Sequence, residues 1–263
     1  MLDTNTIKIR KIPLGKVIVY FILSLWALTT IYPFIWVILN SFKERTSILS
    51  NSFSFPIGKL FTIENYTDIF GRFNIFTAYR NSIIISGSVT VLVVLIAGFC
   101  AYGMVRYRFH GQKLLQSLLI ASMMFPVFVT IIPVFSMQVK MGIVNTTVPL
   151  SWISLILPQT AGNIAFAVIV LMGFLRSLPL EMEEAAYLEG YGVFRIFFKI
   201  IMPLAKPSFA TVAIFTFLWS YNDLFTQMFY LRSAKYFTVT RLLNEISSVQ
   251  GGTNYGWMAA AVV

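Results

Sequence analysis

Five apolar runs, each free of Lys and Arg, constrain this chain more than any other feature: residues 17–39, 82–105, 114–136, 152–175 and 208–231. Each is 23 or 24 residues long. About 20 apolar residues cross a hydrocarbon core roughly 30 Å thick, and only a helix or a closed barrel satisfies its own backbone there. The runs therefore predict an all-α fold, a polytopic transmembrane helix bundle with five complete spans. Composition agrees, since 57% of the 263 residues are hydrophobic and 11% are charged, against roughly 25% charged in a soluble domain. A further stretch, "WMAAAVV" at 257–263, is shorter than the roughly 17 residues a span needs. Opened by a Trp suited to the interface, it reads as the start of an incomplete sixth span, and residues 1–263 as a single transmembrane domain.

Lys8, Arg10, Lys11 and Lys16 precede the first run, which gives it the look of a signal peptide. Its length exceeds a typical h-region of roughly 7 to 15 residues, and "ILNSFKERTS" after it lacks a small-x-small cleavage site. It reads as an anchor. With the N-terminus inside, segments 1–16, 106–113 and 176–207 carry eleven Lys and Arg over 56 residues, against nine over 82 on the other side. That density favours a cytoplasmic N-terminus. The net charge of +10 then serves topology and attraction to anionic headgroups, and no basic soluble domain points to nucleic acid.

The inventory of reactive groups is thin. Cys100, the one cysteine, lies inside the second run, and His110, the one histidine, sits in a basic turn. Neither belongs to a metal set or a catalytic constellation. No GxxxxGK(S/T) segment, nucleophile elbow or HExxH helix is present, so the chain has no phosphate-cradling loop and is expected not to be an enzyme. Sequons at Asn65 and Asn145 read as chance.

Four of the ten acids, Glu181, Glu183, Glu184 and Glu189, fall within nine residues. Pro179 suits a first helical turn, and the three acids after it complement the positive helix N-terminus. Ala185 and Ala186 are small helix formers that allow close approach. Gly190, with Gly192 nearby, can stop the helix. A second helix over roughly 193–202 sets Arg195 and Lys199 among Phe194, Phe197, Phe198 and Ile201, until Pro203 and Pro207 break it. On the residues alone this helix-turn-helix elbow reads equally well as an ordinary solvated connection.

The order Glu184-Ala185-Ala186, Glu189-Gly190, Ile200 and Pro203 with Pro207 resembles the EAA loop of inner-membrane permeases of binding-protein-dependent ABC importers. "NSIIIS", "AYGMVRYRFHGQK", "MMFPVFVTIIPVF" and "LWSYNDLF" resemble the carbohydrate branch, in particular the second permease of the maltose and multiple-sugar type. The resemblance implies the type I ABC importer bundle, whose members usually carry a sixth span after a segment like "NYGWMAAAVV". Glu189 stands where Asp is common, Tyr191 where a small residue is common, and "WSYNDLF" is longer than the usual WN pair.

That family implies a coupling loop, here 176–207, docked on a cytoplasmic ATP-binding subunit. Glu184, Ala185, Ala186, Glu189, Gly190 and Pro203 would carry the coupling. The implied partners are a second permease, two ATPase subunits holding the ATP and Mg, and an extracytoplasmic sugar-binding protein received in part by the loop 40–81. No cofactor is expected on this chain, and the implied location is a bacterial inner membrane. Asp223, the sole ionisable residue inside an apolar run, is a functional candidate by its cost in a bilayer. It either bonds neighbouring backbone or a partner, or lines a sugar path with Trp219, Tyr221 and Asn222. Pro126 and Pro133 read as static kinks. An ion-coupled secondary carrier and an integral membrane enzyme are the alternative classes, disfavoured by the single intramembrane carboxylate and the missing catalytic set.

Overall fold

The computed structural model describes residues 13–144, 148–248 and 254–263. Lys8, Arg10, Lys11 and Asn145, used above for topology and as a sequon, lie outside the described residues. Within them every regular element is a helix. The first run forms α1 (Leu14–Ser41), and the loop after it carries α2 (Arg45–Ser50) and α3 (Glu64–Arg72). The second run forms α4 (Ile75–Arg106), while α5 (Gln112–Ser122) and α6 (Val127–Lys140) divide the third. The fourth run lies in α7 (Val148–Leu175). The acidic connection contains α8 (Glu181–Leu188), α9 (Val193–Ile196) and α10 (Met202–Leu204), and the fifth run is shared by α11 (Lys206–Asn222) and α12 (Leu224–Tyr230). Then come α13 (Val239–Ser247) and α14 (Tyr255–Val262).

Among the described residues, three helices are long and apolar enough to cross a membrane: α1, α4 and α7. Two bent pairs raise the number to five if each pair is one span. The run 114–136, expected as one span with kinks, turns through 102° between α5 and α6. Pro126 is the reason. It stands at the start of α6 with an extended backbone, lacks an N–H to continue α5, and disfavours helical geometry in Phe125 before it. Pro133, by contrast, lies inside α6. The second pair, α9–α10 with α11, bends by 83°, and the run 208–231 is interrupted at Asp223 between α11 and α12.

By internal contacts the chain divides into two compact units, one of residues 1–73 with 246–263 and one of residues 74–245. In the first, α14 packs on α1, α2 and α3. Residues 257–262 are helical, as their sequence suggests, with Trp257, Ala259, Ala260 and Ala261 buried. Asn65 of α3 is buried, and its amide donates to the carbonyls of Ser41 (2.9 Å) and Lys43 (2.7 Å). Its side chain therefore closes the loop on the end of α1. Along α1 the apolar side chains are exposed, as a helix facing hydrocarbon requires.

The second unit is built on α4, which packs along α7 and α11. Small residues make this possible: Ala97, Gly98 and Ala101 on α4 and Ala165 and Ala167 on α7 are buried, and such residues let membrane helices approach closely. A β-carbon at Gly98 would lie 2.9 Å from Phe209 Cε1 and 3.0 Å from Phe197 Cζ, so α11 and the elbow both depend on that glycine. The other end of α4 is tied down by Asn81, whose amide donates to the carbonyls of Lys235 (3.1 Å) and Phe237 (3.0 Å). Residues 81 and 106 are 25 apart, roughly 37 Å along the helix at 1.5 Å per residue. The two ends of α4 thus stand about one bilayer apart.

Candidate functional site

The elbow begins with α8. Its first turn holds Glu181, Glu183 and Glu184 against the positive helix N-terminus, as the sequence suggests. Its other end is a Schellman motif: Tyr191 N–H donates to the Ala186 carbonyl and Gly190 N–H to that of Tyr187, both at 3.0 Å. Gly190 has φ 82°, the left-handed region that glycine enters without strain. Gly192 is extended and starts α9. The Tyr191 ring lies under the Arg195 guanidinium, 4.2 Å from centroid to carbon, which gives the unusual bulk at 191 a bracing role.

Beyond α9 the chain widens into a π-helical turn over Phe197–Ile201, closed by Met202 N–H donating to the Phe197 carbonyl. Pro203 follows, without an N–H for the normal ladder, and Pro207 sits in the first turn of α11, where proline is tolerated. The expected helix over 193–202 is therefore present, with its last turn widened and carried on to Leu204. Phe197 is fully buried. Its ring stacks on Phe99 (4.4 Å between centroids) and meets Tyr102 (5.6 Å) and Phe209 (6.2 Å).

Helical spacing splits the acids of α8 between two faces. Glu183 and Ala186 are buried, whereas Glu184, Ala185 and Leu188 face outward. Glu183 Oε1 accepts from Arg106 Nε at 2.5 Å and Oε2 from Tyr102 Oη at 2.8 Å. Arg106 also donates to the Leu178 carbonyl (3.2 Å), and the Tyr107 and Tyr187 hydroxyls are 3.0 Å apart. That hydroxyl contact, then partial burial, pushes Tyr107 above the ordinary tyrosine range. Sequence reasoning missed Glu183 and Arg106. The available signal was the Glu183-Glu184 pair itself, since adjacent helical residues point about 100° apart and the two carboxylates therefore meet different surroundings.

On the outward face Glu184 has no side-chain partner among the described residues. Leu188 is 91% exposed, the highest value of any large apolar side chain described. Ala186 faces inward instead of outward, so the two alanines serve opposite faces. Glu189 is exposed at the end of α8, and Pro203 is exposed in the elbow.

The structure brings two of the four fifth-run residues together. Trp219 and Asp223 line a cavity of about 860 Å³ between α6, α7, α11 and α12, with Phe128, Gln138, Gln159 and Ser220. Tyr221 instead stacks on Phe217 (5.9 Å), and the exposed Asn222 donates to its own helix at the Leu218 carbonyl (2.8 Å). Asp223 caps α12 by accepting from Thr226 N–H (3.1 Å) and accepts from Gln159 Nε2 (2.9 Å). The network runs on through Ser220 Oγ to Gln159 Oε1 (2.6 Å), Gln227 Nε2 to the Ser220 carbonyl (3.1 Å) and Thr238 Oγ1 to Gln227 Oε1 (2.5 Å). No group of three or more metal-ligating side chains occurs among the described residues.

Residues 93–263, which include the whole elbow, match the family described as "Binding-protein-dependent transport system inner membrane component". Over 243 residues the chain is 35% identical to a diacetylchitobiose uptake system permease protein of Streptomyces coelicolor, covering 92% of this chain and 78% of that one. It is 30% identical over 248 residues to a galactooligosaccharides transport system permease protein of Bacillus subtilis, covering 93% and 85%. A crystal structure of a bacterial ABC transporter involved in import of the acidic polysaccharide alginate contains a chain of similar fold. The TM-score is 0.73 at 19% identity, over 94% of this chain and 90% of that one.

Proposed function

This chain belongs to the binding-protein-dependent transport system inner membrane component family, and from that premise we propose that it is one permease subunit of an ATP-driven sugar or oligosaccharide importer. The saccharides in the names of the relatives support that substrate class. Membership itself makes the chain a multi-pass inner-membrane component. Its partners in this reading are a second permease, two ATP-binding subunits on the cytoplasmic side and an extracytoplasmic sugar-binding protein. The N-terminus and the elbow face the cytoplasm.

The observation that carries the coupling role is the two-faced helix α8. Its inner face is fixed to α4 through Glu183, so its outer face is presented on a rigid support. There Leu188, exposed and apolar, sits one helical turn from Glu184, a carboxylate with no partner of its own among the described residues. An apolar anchor beside a free charge suits a groove with a basic rim on an ATPase subunit, because buried apolar anchors supply affinity and charges supply orientation. Gly190 fixes the bend, while Ala185 permits close contact.

The cavity beside Trp219 is the part of the sugar path that this subunit contributes, since an aromatic wall with amide and hydroxyl groups suits a polyol. Tyr221 and Asn222 have no place in that role, being engaged elsewhere. Asp223 takes the structural one, with both oxygens bonded inside the chain. The same bonds speak against an ion-coupled carrier, which needs a carboxylate free to exchange its ion.

Glu184→Lys is the test. The variant is expected to insert and to fold, and to lose both copurification of the ATPase subunit and ATP-dependent uptake by whole cells. Wild-type copurification together with wild-type uptake would overturn the docking role.

A further inference from the structure

Resting on the reading of α8 as the docking helix, we propose that Glu183 and Arg106 form the positioning pair through which motion of α8 enters the membrane bundle, and that the last turns of α4 with the residue that caps them, residues 98–107, receive it. The covalent routes out of the elbow are indirect. Toward α7 the chain passes through Ser177, Leu178 and Pro179, outside any helix, and toward α11 it passes through Gly190, a π-helical turn and an 83° bend. Neither route carries a straight helix from α8 into a membrane span.

The contacts across space are stiffer. Four ties join the acidic connection to one end of α4: Leu178 to Arg106, Glu183 to Arg106, Glu183 to Tyr102, and Tyr187 to Tyr107. They span the connection from before α8 to its last turn. Residues 102 and 106 are one helical turn apart, as are 183 and 187, so the two helices meet along matching faces. Side-chain exposure at the pair is 10% for Arg106 and 2% for Glu183. With so little water to replace the lost bonds, the pair moves as one body more readily than it separates. The other leg of the elbow grips the same stretch, through Phe197 on Gly98, Phe99 and Tyr102. Both legs therefore converge on the last nine residues of α4 and Tyr107 after it, and α4 packs against α7 and α11.

A tied connection predicts that α4 changes its surroundings when α8 is moved, and the chain carries its own reporter. Cys100, the single cysteine in the sequence, sits on α4 inside the receiving stretch and is partly exposed. The experiment is maleimide labelling of Cys100 in the complex purified with its ATPase subunits in mild detergent, with and without Mg-ATP and vanadate. In the wild type, nucleotide trapping is expected to change the labelling rate of this chain roughly two- to thirtyfold, the range expected for coupling between distant sites. Glu183→Gln and Arg106→Gln are expected to abolish that change while the ATPase subunit still copurifies. The reversed pair, Glu183→Arg with Arg106→Glu, is expected to restore part of it, and loss of the response in single variants that still assemble is what a merely structural role would not give. If the single variants fail to assemble, Tyr187→Phe removes one tie only and is expected to reduce the response without removing it.

A Cys100 response of wild-type size in assembled Glu183→Gln overturns the proposal, as does a Cys100 that never responds in the wild type. Absence of any ATPase subunit from the wild-type preparation would overturn the docking reading instead, so the two failures are told apart.

Discussion

Glu183 and Asp223 both sit at helix ends in the unit of residues 74–245, and they are satisfied by opposite means. Glu183 is held by a cation and a phenol from α4, 77 and 81 residues away in sequence. Asp223 is held by the first turn of its own next helix, three residues away, and by the neutral amide of Gln159. One site is a charge pair between distant elements, and the other is a cap extended into a network of hydroxyls and amides. A site of the first kind concentrates its dependence on one partner, because removal of the cation strands a buried charge. In the second kind it is spread, since each lost bond leaves the others in place.

Arg106→Ala is the hardest blow to that contrast and is expected to destabilise the detergent-solubilised protein by about 3–5 kcal/mol, the cost of breaking a buried pair from one side. Gln159→Ala, at the matching position in the other cluster, is expected to cost about 1.5–3 kcal/mol, as for a hydrogen bond to a charged group. Equal losses in chemical denaturation would break the comparison. Asp223→Ala removes the cap as well as the bond from Gln159 and is expected to cost at least as much as Gln159→Ala, whereas Asp223→Asn is expected to cost much less, because Asn caps as well as Asp. A large loss in Asp223→Asn would mean that its charge is used after all.

Gly190→Ala is expected to cost about 1–2 kcal/mol from the left-handed backbone alone, since the added carbon meets nothing within 4 Å. The smallest effect concerns pH. The bond from Tyr187 holds the Tyr107 hydroxyl protonated above its ordinary range. Its contribution is therefore complete below the unfolded tyrosine value of about 10 and is lost as pH rises through the raised folded value. Tyr187→Phe is expected to lower stability slightly in the neutral region, where that contribution is complete, and to flatten the alkaline limb.

The helical class, the apolar runs and the elbow were legible because each depends on local pattern: run length, acids at a helix start, Gly190 at its end, prolines beyond. The 102° break was half legible, for Pro126 marks the place and only the packing of α5 and α6 sets the angle. Tertiary ties carried no such signal. Arg106 stood in "VRYRFHGQK" as one more basic residue favouring an inner loop, and its pairing with Glu183 depends on two helices meeting. The fifth run misled for a similar reason. Trp219, Tyr221, Asn222 and Asp223 are consecutive or nearly so, yet helix geometry and the interruption at Asp223 scatter them over different faces.

Photo-crosslinking in intact cells from a benzoylphenylalanine placed at residue 188 tests the docking helix most directly. The expected adduct is a cytoplasmic ATP-binding subunit, lost when Glu184→Lys is added. An adduct with a protein of the extracytoplasmic side, or an ATPase adduct unchanged by Glu184→Lys, would contradict the assignment of α8 as the contact with the nucleotide motor.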